Sequence, residues 1–278
     1  MSHKICIIGS KGFIGKELRK NLKLQKINFI EINLPRPDDD KRLASYYINL
    51  ISKILTQIKN CTVIINCAGS INCKKKHDFF FNSNFDVLFQ NYLVKKKLKI
   101  KYISINSTKI FGPWKDLYSI SKKKLHNNFK NSKLFISIYP DLIIDTKSNT
   151  YKKIKIVLKK IKTIPLPIFN PGKTFYPLDN KSFVQNLIKI ALYKNKKFKY
   201  IIMGKKKISF YQLISKINKK EKLNRYIKSI NKKWFKYLPL KLLKLLYQNN
   251  ILQNFDDIDY IKEQMKNEFS IIKCNFQI

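Results

Sequence analysis

Three of the chain's seven glycines fall at Gly9, Gly12 and Gly15, directly after the apolar run that ends at Ile8. In the stretch IIGSKGFIG an apolar run halts at a glycine and restarts at helical spacing, which reads as a strand, a tight turn and a helix. Gly9 ends the strand, Gly12 lets backbone come close to a ligand, and Gly15 permits close packing of the new helix on the sheet. The amides of the first helical turn and the positive end of the helix dipole then face an anion, ideally a pyrophosphate. A turn of this kind works only inside a βα framework, so the rest of the chain has to supply one.

It does. Short apolar runs at 4–8, 28–33, 62–66, 101–105, 134–138 and 199–203 are mostly continuous, as expected of strands covered on both faces. Between them lie helix-period segments at 15–24, 46–59, 84–97 and 119–129. Strands alternating with helices predict βαβ units and a parallel sheet. After about residue 139 the rhythm changes. PDLIID, a lysine-rich helix at 151–162 and TIPLPIFNPGKTFYPL gather most of the prolines, and helices follow at 182–193, 208–217 and 236–247. The last, within WFKYLPLKLLKLLYQ (234–248), sets lysines among leucines and is expected to pack its leucine stripe on a core.

With 58 Lys+Arg against 17 Asp+Glu, the formal net charge is +41. Such a field attracts polyanions. The basic residues are nevertheless spread through every segment, and Lys, Ile, Asn, Phe and Tyr are all heavily used. Drift toward A/T-rich codons produces that pattern without selection for nucleic acid, so a nucleic-acid partner is not favoured. Cys6, Cys61, Cys67, Cys73 and Cys274 form no CxxC pair and no metal-type spacing, which predicts reduced thiols and no metal site. MSHKICIIG runs straight into a strand without a signal peptide, and no apolar stretch reaches the roughly 20 residues of a membrane span. A cytoplasmic protein is the expectation.

Tyr118 and Lys122 stand one helical turn apart in YSISK and so share a face. An ammonium beside a phenol lowers the phenol's pKa from its usual value near 10, which would equip Tyr118 for proton exchange with a substrate hydroxyl or ketone.

Spaced GxxGxxG, the glycine turn resembles that of the extended short-chain dehydrogenase/reductases, the NAD-dependent epimerase/dehydratase group. INCAG (65–69), NSNFDVLFQN (82–91), ISINSTKIFG (103–112), YSISK (118–122) and GKKKISFYQLISKI (204–217) follow the order of that family's motifs. The resemblance covers about residues 4–217. It implies a Rossmann-type, doubly wound parallel sheet: residues 1–139 form the NAD(P)-binding core, completed by about 175–204. A smaller substrate lobe comprises 140–174 and 205–278. By the same resemblance, Tyr118 exchanges the proton, Ser107 holds the substrate oxygen, and Lys122 hydrogen-bonds the nicotinamide ribose. Asn84 supports the lysine. The cofactor cradle is Gly9, Lys11, Gly12, Phe13, Ile14 and Gly15, with Ala68 and Gly69 beside the adenine.

Strand two carries no acid at its tip near Asn33, so Lys11 and Arg36 are candidates to meet a 2′-phosphate, favouring NADP over NAD. The implied activity is 4-keto reduction or 4-epimerisation of a nucleotide sugar by a cytoplasmic enzyme, with a homodimer common in the family. Lys173 is the nearest basic residue to the YPL segment that would grip a nucleotide diphosphate. Two further readings stand beside this one: a basic RNA-binding protein, and a catalytically silent cofactor sensor on the same fold.

Overall fold

The computed structural model describes residues 4–37, 40–58, 60–71, 73, 75–112, 116–160, 166–169, 174–193, 197–230 and 269–276. Lys173 and the helix expected at 236–247 lie outside the described residues.

Strand β1 (Ile5–Ile8) is followed by α1 (Phe13–Leu24), β2 (Phe29–Ile32), α2 (Leu43–Gln57) and β3 (Val63–Asn66). Then come α3 (Lys76–Lys95), β4 (Lys101–Ile105), a 3-10 turn at Thr108–Phe111, α4 (Leu117–Asn128) and β5 (Phe135–Pro140). Next are α5 (Asn149–Lys160), β6 (Leu166–Phe169), β7 (Thr174–Phe175), α6 (Asn180–Leu192) and β8 (Lys199–Gly204). The order closes with β9 (Ile208–Ser209), α7 (Phe210–Lys220), β10 (Ile227–Ile230) and β11 (Ser270–Cys274).

One seven-stranded sheet has the order β11-β8-β5-β4-β3-β1-β2. The pairs β1–β2, β1–β3, β3–β4, β4–β5 and β5–β8 are all parallel. Strands β1, β3 and β5 are buried along their whole length, which explains their continuous apolar character. The chain leaves β1 toward β2 and then returns to the other side of β1 for β3. That reversal makes a switch point, where open α/β sheets bind ligands outside the carboxyl ends of their strands. The expected Rossmann-type doubly wound sheet is therefore present.

The chain divides into two units. The first takes in 1–140, 183–202 and 264–272, and contains most of the large sheet. On one face of that sheet Cys6, Ile8, Ile64 and Tyr102 pack against Tyr47, Ile51 and Ile54 of α2 and Phe85, Phe89 and Leu93 of α3. The second unit takes in 141–182, 203–263 and 273–278. Its core joins Ile144, Tyr151 and Leu158 to Ile208, Leu213, Ile214 and Ile217. Two small sheets, parallel β6–β10 and antiparallel β7–β9, also belong to it. Helix α7 opens with a capping box in which Ser209 and Gln212 satisfy each other's backbone amides. Glu221 accepts from the Tyr151 hydroxyl at 2.7 Å and pairs with Lys155 at 2.5 Å.

Candidate functional site

The site begins where β1 ends. Gly9 takes φ +80°, and a Cβ there would lie 2.7 Å from the Ala68 backbone nitrogen, so the turns after β1 and β3 are pressed together. Ala68 is therefore beside the glycine turn. A Cβ on Gly15 would lie 2.2 Å from the Gly9 carbonyl oxygen, which seats α1 hard against the turn.

Gly12 differs. Its nearest neighbour to an added Cβ is the Gly9 carbonyl oxygen at 3.3 Å, then the Cys67 carbonyl oxygen at 3.9 Å. It is also the N-cap of α1, with no side-chain cap and no acidic residue in the first turn. The amides of a helix's first turn have no acceptor further back in the helix. A bare, uncapped helix start at the switch point fits a pyrophosphate and would be obstructed by a side chain at residue 12.

The neighbouring turns are tied to this one. The Gly9 amide donates to the Ile32 carbonyl at 3.0 Å, and the Ser10 hydroxyl to Asn33 Oδ1 at 3.4 Å. Glu31, the acid of β2, meets Arg19 of α1 at 3.4 Å. Lys11 and Arg36 are both exposed, in the loops that follow β1 and β2. Gly69 is exposed too, and its neighbour Ser70 is held at both backbone groups by one side chain. The Ser70 amide donates to Asn82 Oδ1 at 3.1 Å, and Asn82 Nδ2 donates to the Ser70 carbonyl at 2.7 Å.

Asn82 therefore braces the turn after β3 from inside α3. Asn84 spends its amide inside α3, on the Phe80 carbonyl at 3.2 Å and the Ser83 hydroxyl at 2.7 Å. The expectation that it supports Lys122 is corrected on that ground. Asn82 is buried, whereas Asn84 is partly exposed, and the two differ by less than one helical turn. A spacing argument alone does not separate them.

At the end of β4, Ser107 caps the 3-10 turn and accepts from the Lys109 amide at 3.3 Å. Helix α4 starts at Asp116, whose carboxylate accepts from the Ser119 amide at 3.0 Å. Tyr118 lies in its first turn and Lys122 one turn on. The Ser107 side chain is hydrogen-bonded to Tyr118, and Lys122 reaches the carbonyl of Ile105 two residues before Ser107, so the Ser-Tyr-Lys set gathers at the end of β4. Burial pushes the Tyr118 phenol up to about 12, with the Ser107 hydrogen bond pulling the other way. This overturns the expected lowering by Lys122. Lys122 Nζ donates at 2.9 Å to the carbonyl of Ile105 rather than to the phenol. Burial in turn pulls the Lys122 ammonium below the ordinary lysine range, opposed by Asp86 and Cys73.

Residues that sequence reasoning passed over also converge here. The Cys73 thiol accepts from Asn82 Nδ2 at 2.8 Å and lies 3.7 Å from the Ser121 hydroxyl. Asp86 is buried in α3 and accepts from Asn66 Nδ2, the Tyr102 hydroxyl and the Ser104 hydroxyl. A buried acid at helical spacing from Asn82 was the signal to find. Among the described residues no group of acids, cysteines and histidines could hold a metal ion. None of the described helices is long and apolar enough to cross a membrane.

A parallel sheet that reverses over a glycine turn, with serine after one strand and Tyr-x-x-x-Lys on the next helix, has the architecture of the Rossmann-type dinucleotide folds. Solved structures that share it include a dTDP-4-dehydrorhamnose reductase ortholog from Clostridium acetobutylicum, 14% identical over 95% of this chain and 99% of that one, with a TM-score of 0.66. A second is the dTDP-4-dehydrorhamnose reductase from Bacillus anthracis in complex with NADP, 12% identical over 84% and 86% with a TM-score of 0.65. A third is dTDP-glucose 4,6-dehydratase from the same organism in complex with NAD, 15% identical over 82% and 84% with a TM-score of 0.64. The fold is thus one shared with these nucleotide-sugar reductases and dehydratase. No family model and no curated protein matches the sequence.

Proposed function

We propose that the chain is an NAD(P)-dependent oxidoreductase of a nucleotide-activated sugar, reducing a 4-keto group by hydride transfer. The observation that carries this reading is the convergence of Ser107, Tyr118 and Lys122 at the end of β4, in a fold shared with nucleotide-sugar reductases and dehydratases. Bound at the glycine turn, a reduced nicotinamide would supply the hydride. Gly9, Gly12 and the first turn of α1 would hold its pyrophosphate, and Lys122 is the candidate donor to its ribose. Ser107 orients the substrate carbonyl oxygen.

Tyr118 would give its proton to that oxygen as the carbonyl becomes an alcohol, and would regain one from solvent after the product leaves. A phenol at about 12 is protonated throughout the neutral range, the state a proton donor needs. The same groups run backward in a 4-epimerase, which differs in whether the sugar turns before the hydride returns. The nucleotide-sugar lobe is assigned to 140–174 and 205–278 on the resemblance.

The preference for NADP rests on charge. Glu31, the acid nearest the tip of β2, is engaged by Arg19, and Lys11 and Arg36 are exposed in the two adjoining loops.

The test is a screen of nucleotide 4-ketosugars with NADPH and NADH, in the native chain and in Tyr118→Phe. We expect tighter NADPH than NADH, and turnover that falls about a thousandfold in the variant while cofactor affinity stays within about threefold. Reductive kcat/KM should show no limb from Tyr118 between pH 6 and about 9, since the donor stays protonated there. Turnover retained in Tyr118→Phe would place the proton donor elsewhere. Tighter NADH would overturn the cofactor preference.

A further inference from the structure

Lys122 presents a physical problem that its hydrogen bond does not solve. Its side chain is buried at 5% exposure, and it donates to a neutral carbonyl, that of Ile105. A buried ammonium needs a counter-charge to stay charged. No carboxylate lies within ion-pair distance of it among the described residues. A buried carboxylate stands at the same end of β4: Asp86, on the helix α3 that packs along α4, accepts from Ser104, the residue before the Ile105 that takes the lysine's hydrogen bond.

Asp86 is unusual for where it sits. It is 4% exposed, on the same helix face as Asn82 one turn before and Gln90 one turn after. Facing it, Tyr102 and Ser104 alternate on one face of β4, and Asn66 is paired with Ser104 across β3–β4. All three donate to its carboxylate, which leaves it no proton donor's role and fixes it as an anion-shaped acceptor. Three neutral donors stabilise a carboxylate; they do not neutralise it. Its charge remains available to a cation on the neighbouring helix.

We propose that Asp86 is a positioning residue: the buried carboxylate, clamped by Asn66, Tyr102 and Ser104, is the counter-charge that keeps Lys122 an ammonium and holds it at the end of β4. A neutral amine there would lose its electrostatic hold on the Ile105 carbonyl and, for turnover, its grip on the ribose. That last consequence rests on the proposed reading of Lys122; the electrostatic claim does not.

The titratable groups tied to this cluster are Asp86 on α3, the Cys73 thiol in the turn after β3, the Tyr102 phenol on β4, which donates to Asp86, and Tyr118 on α4, hydrogen-bonded to Ser107. Of these, Asp86 and Cys73 act to keep the proton on, against the burial that takes it off. Cys73 does so only as a thiolate, and burial holds that thiol above its ordinary value. At neutral pH the task therefore falls to Asp86.

The experiment reads Lys122 directly and needs neither cofactor nor substrate. Lysine side chains of the full chain are labelled at Cε, the Lys122 signal is assigned by its loss in Lys122→Arg, and its pH titration is followed by NMR. In Asp86→Asn the Lys122 midpoint should fall by about one pH unit or more, because the charge favouring the protonated form is gone. In Tyr102→Phe and Ser104→Ala, which loosen the clamp but keep the carboxylate, the midpoint should stay near the native value. If Asp86→Asn does not fold, Asp86→Leu combined with Tyr102→Phe and Ser104→Ala removes donors and acceptor together and carries the same measurement. A midpoint unmoved on loss of the carboxylate overturns the proposal, leaving Asp86 a structural clamp. Turnover that survives Tyr118→Phe would instead defeat the proposed function and leave this result standing.

Discussion

Gly12 and Gly15 are three residues apart and do different work. At Gly15 an added Cβ would lie 2.2 Å from the Gly9 carbonyl oxygen and 2.8 Å from the Ser10 Cα, both backbone atoms that cannot swing aside. At Gly12 the closest approach is 3.3 Å, and the backbone is an ordinary extended N-cap at φ −72°. Gly15→Ala should therefore cost about 2–3 kcal/mol of stability, seen in urea melts without any cofactor. Gly12→Val should cost about 1 kcal/mol or less yet weaken NADPH binding at least tenfold, measured by fluorescence titration. Equal stability losses would show that the turn is one structural unit with no bare cradle. The same scale shows what could be read from the chain. Gly9, Gly12, Gly15 and the pair Tyr118 and Lys122 were legible because turn geometry and helical spacing are local rules. The state of the Tyr118 proton was not, since it follows from burial and from where the lysine's hydrogen bond goes.

At the scale of elements, the strands at 101–105 and 199–203 matched closely, while α3 was expected to begin at 84 and begins at Lys76. The reason lies in its buried face. Asn82, Ser83, Asp86 and Gln90 are inside together with Phe85, Phe89 and Leu93, so polar and apolar residues do not separate around the helix. Helix α2 begins at Leu43, ahead of the expected 46, behind an Arg42 in the left-handed conformation that gives no side-chain cap. Short strands such as β7 and β9, two residues each, carry no periodic signal at all. Long-range ties are invisible in the same way. Lys101, the first residue of β4, donates to the carbonyls of Ala191 and Tyr193 at 2.9 Å each and so closes the C-terminal end of α6. Lys101→Met should cost about 1 kcal/mol, lowering Tm by about 2–4 °C, with Lys101→Arg recovering part of it. An unchanged Tm would mean solvent replaces the lysine at no loss.

For the whole molecule, the net charge of +41 has to be reconciled with a folded chain. Among the described residues, lysine or arginine meets a carboxylate only in Arg19–Glu31 and Lys155–Glu221. Most cations therefore repel one another, and a compact state concentrates that repulsion. Raising sodium chloride from about 20 to about 300 mM should increase Tm by several degrees by screening it. A fall in Tm would show that attractive pairs dominate instead.

The order of the strands bears on how such a chain is made. β5 is buried at all six positions, yet its outer partner β8 lies some sixty residues further along. While a ribosome is still adding the intervening segment, FISIYP stands as a bare, sticky margin on a nearly finished sheet. The newborn protein passes through a window in which it is most exposed to self-association, and that window shuts only when Lys199–Gly204 emerges.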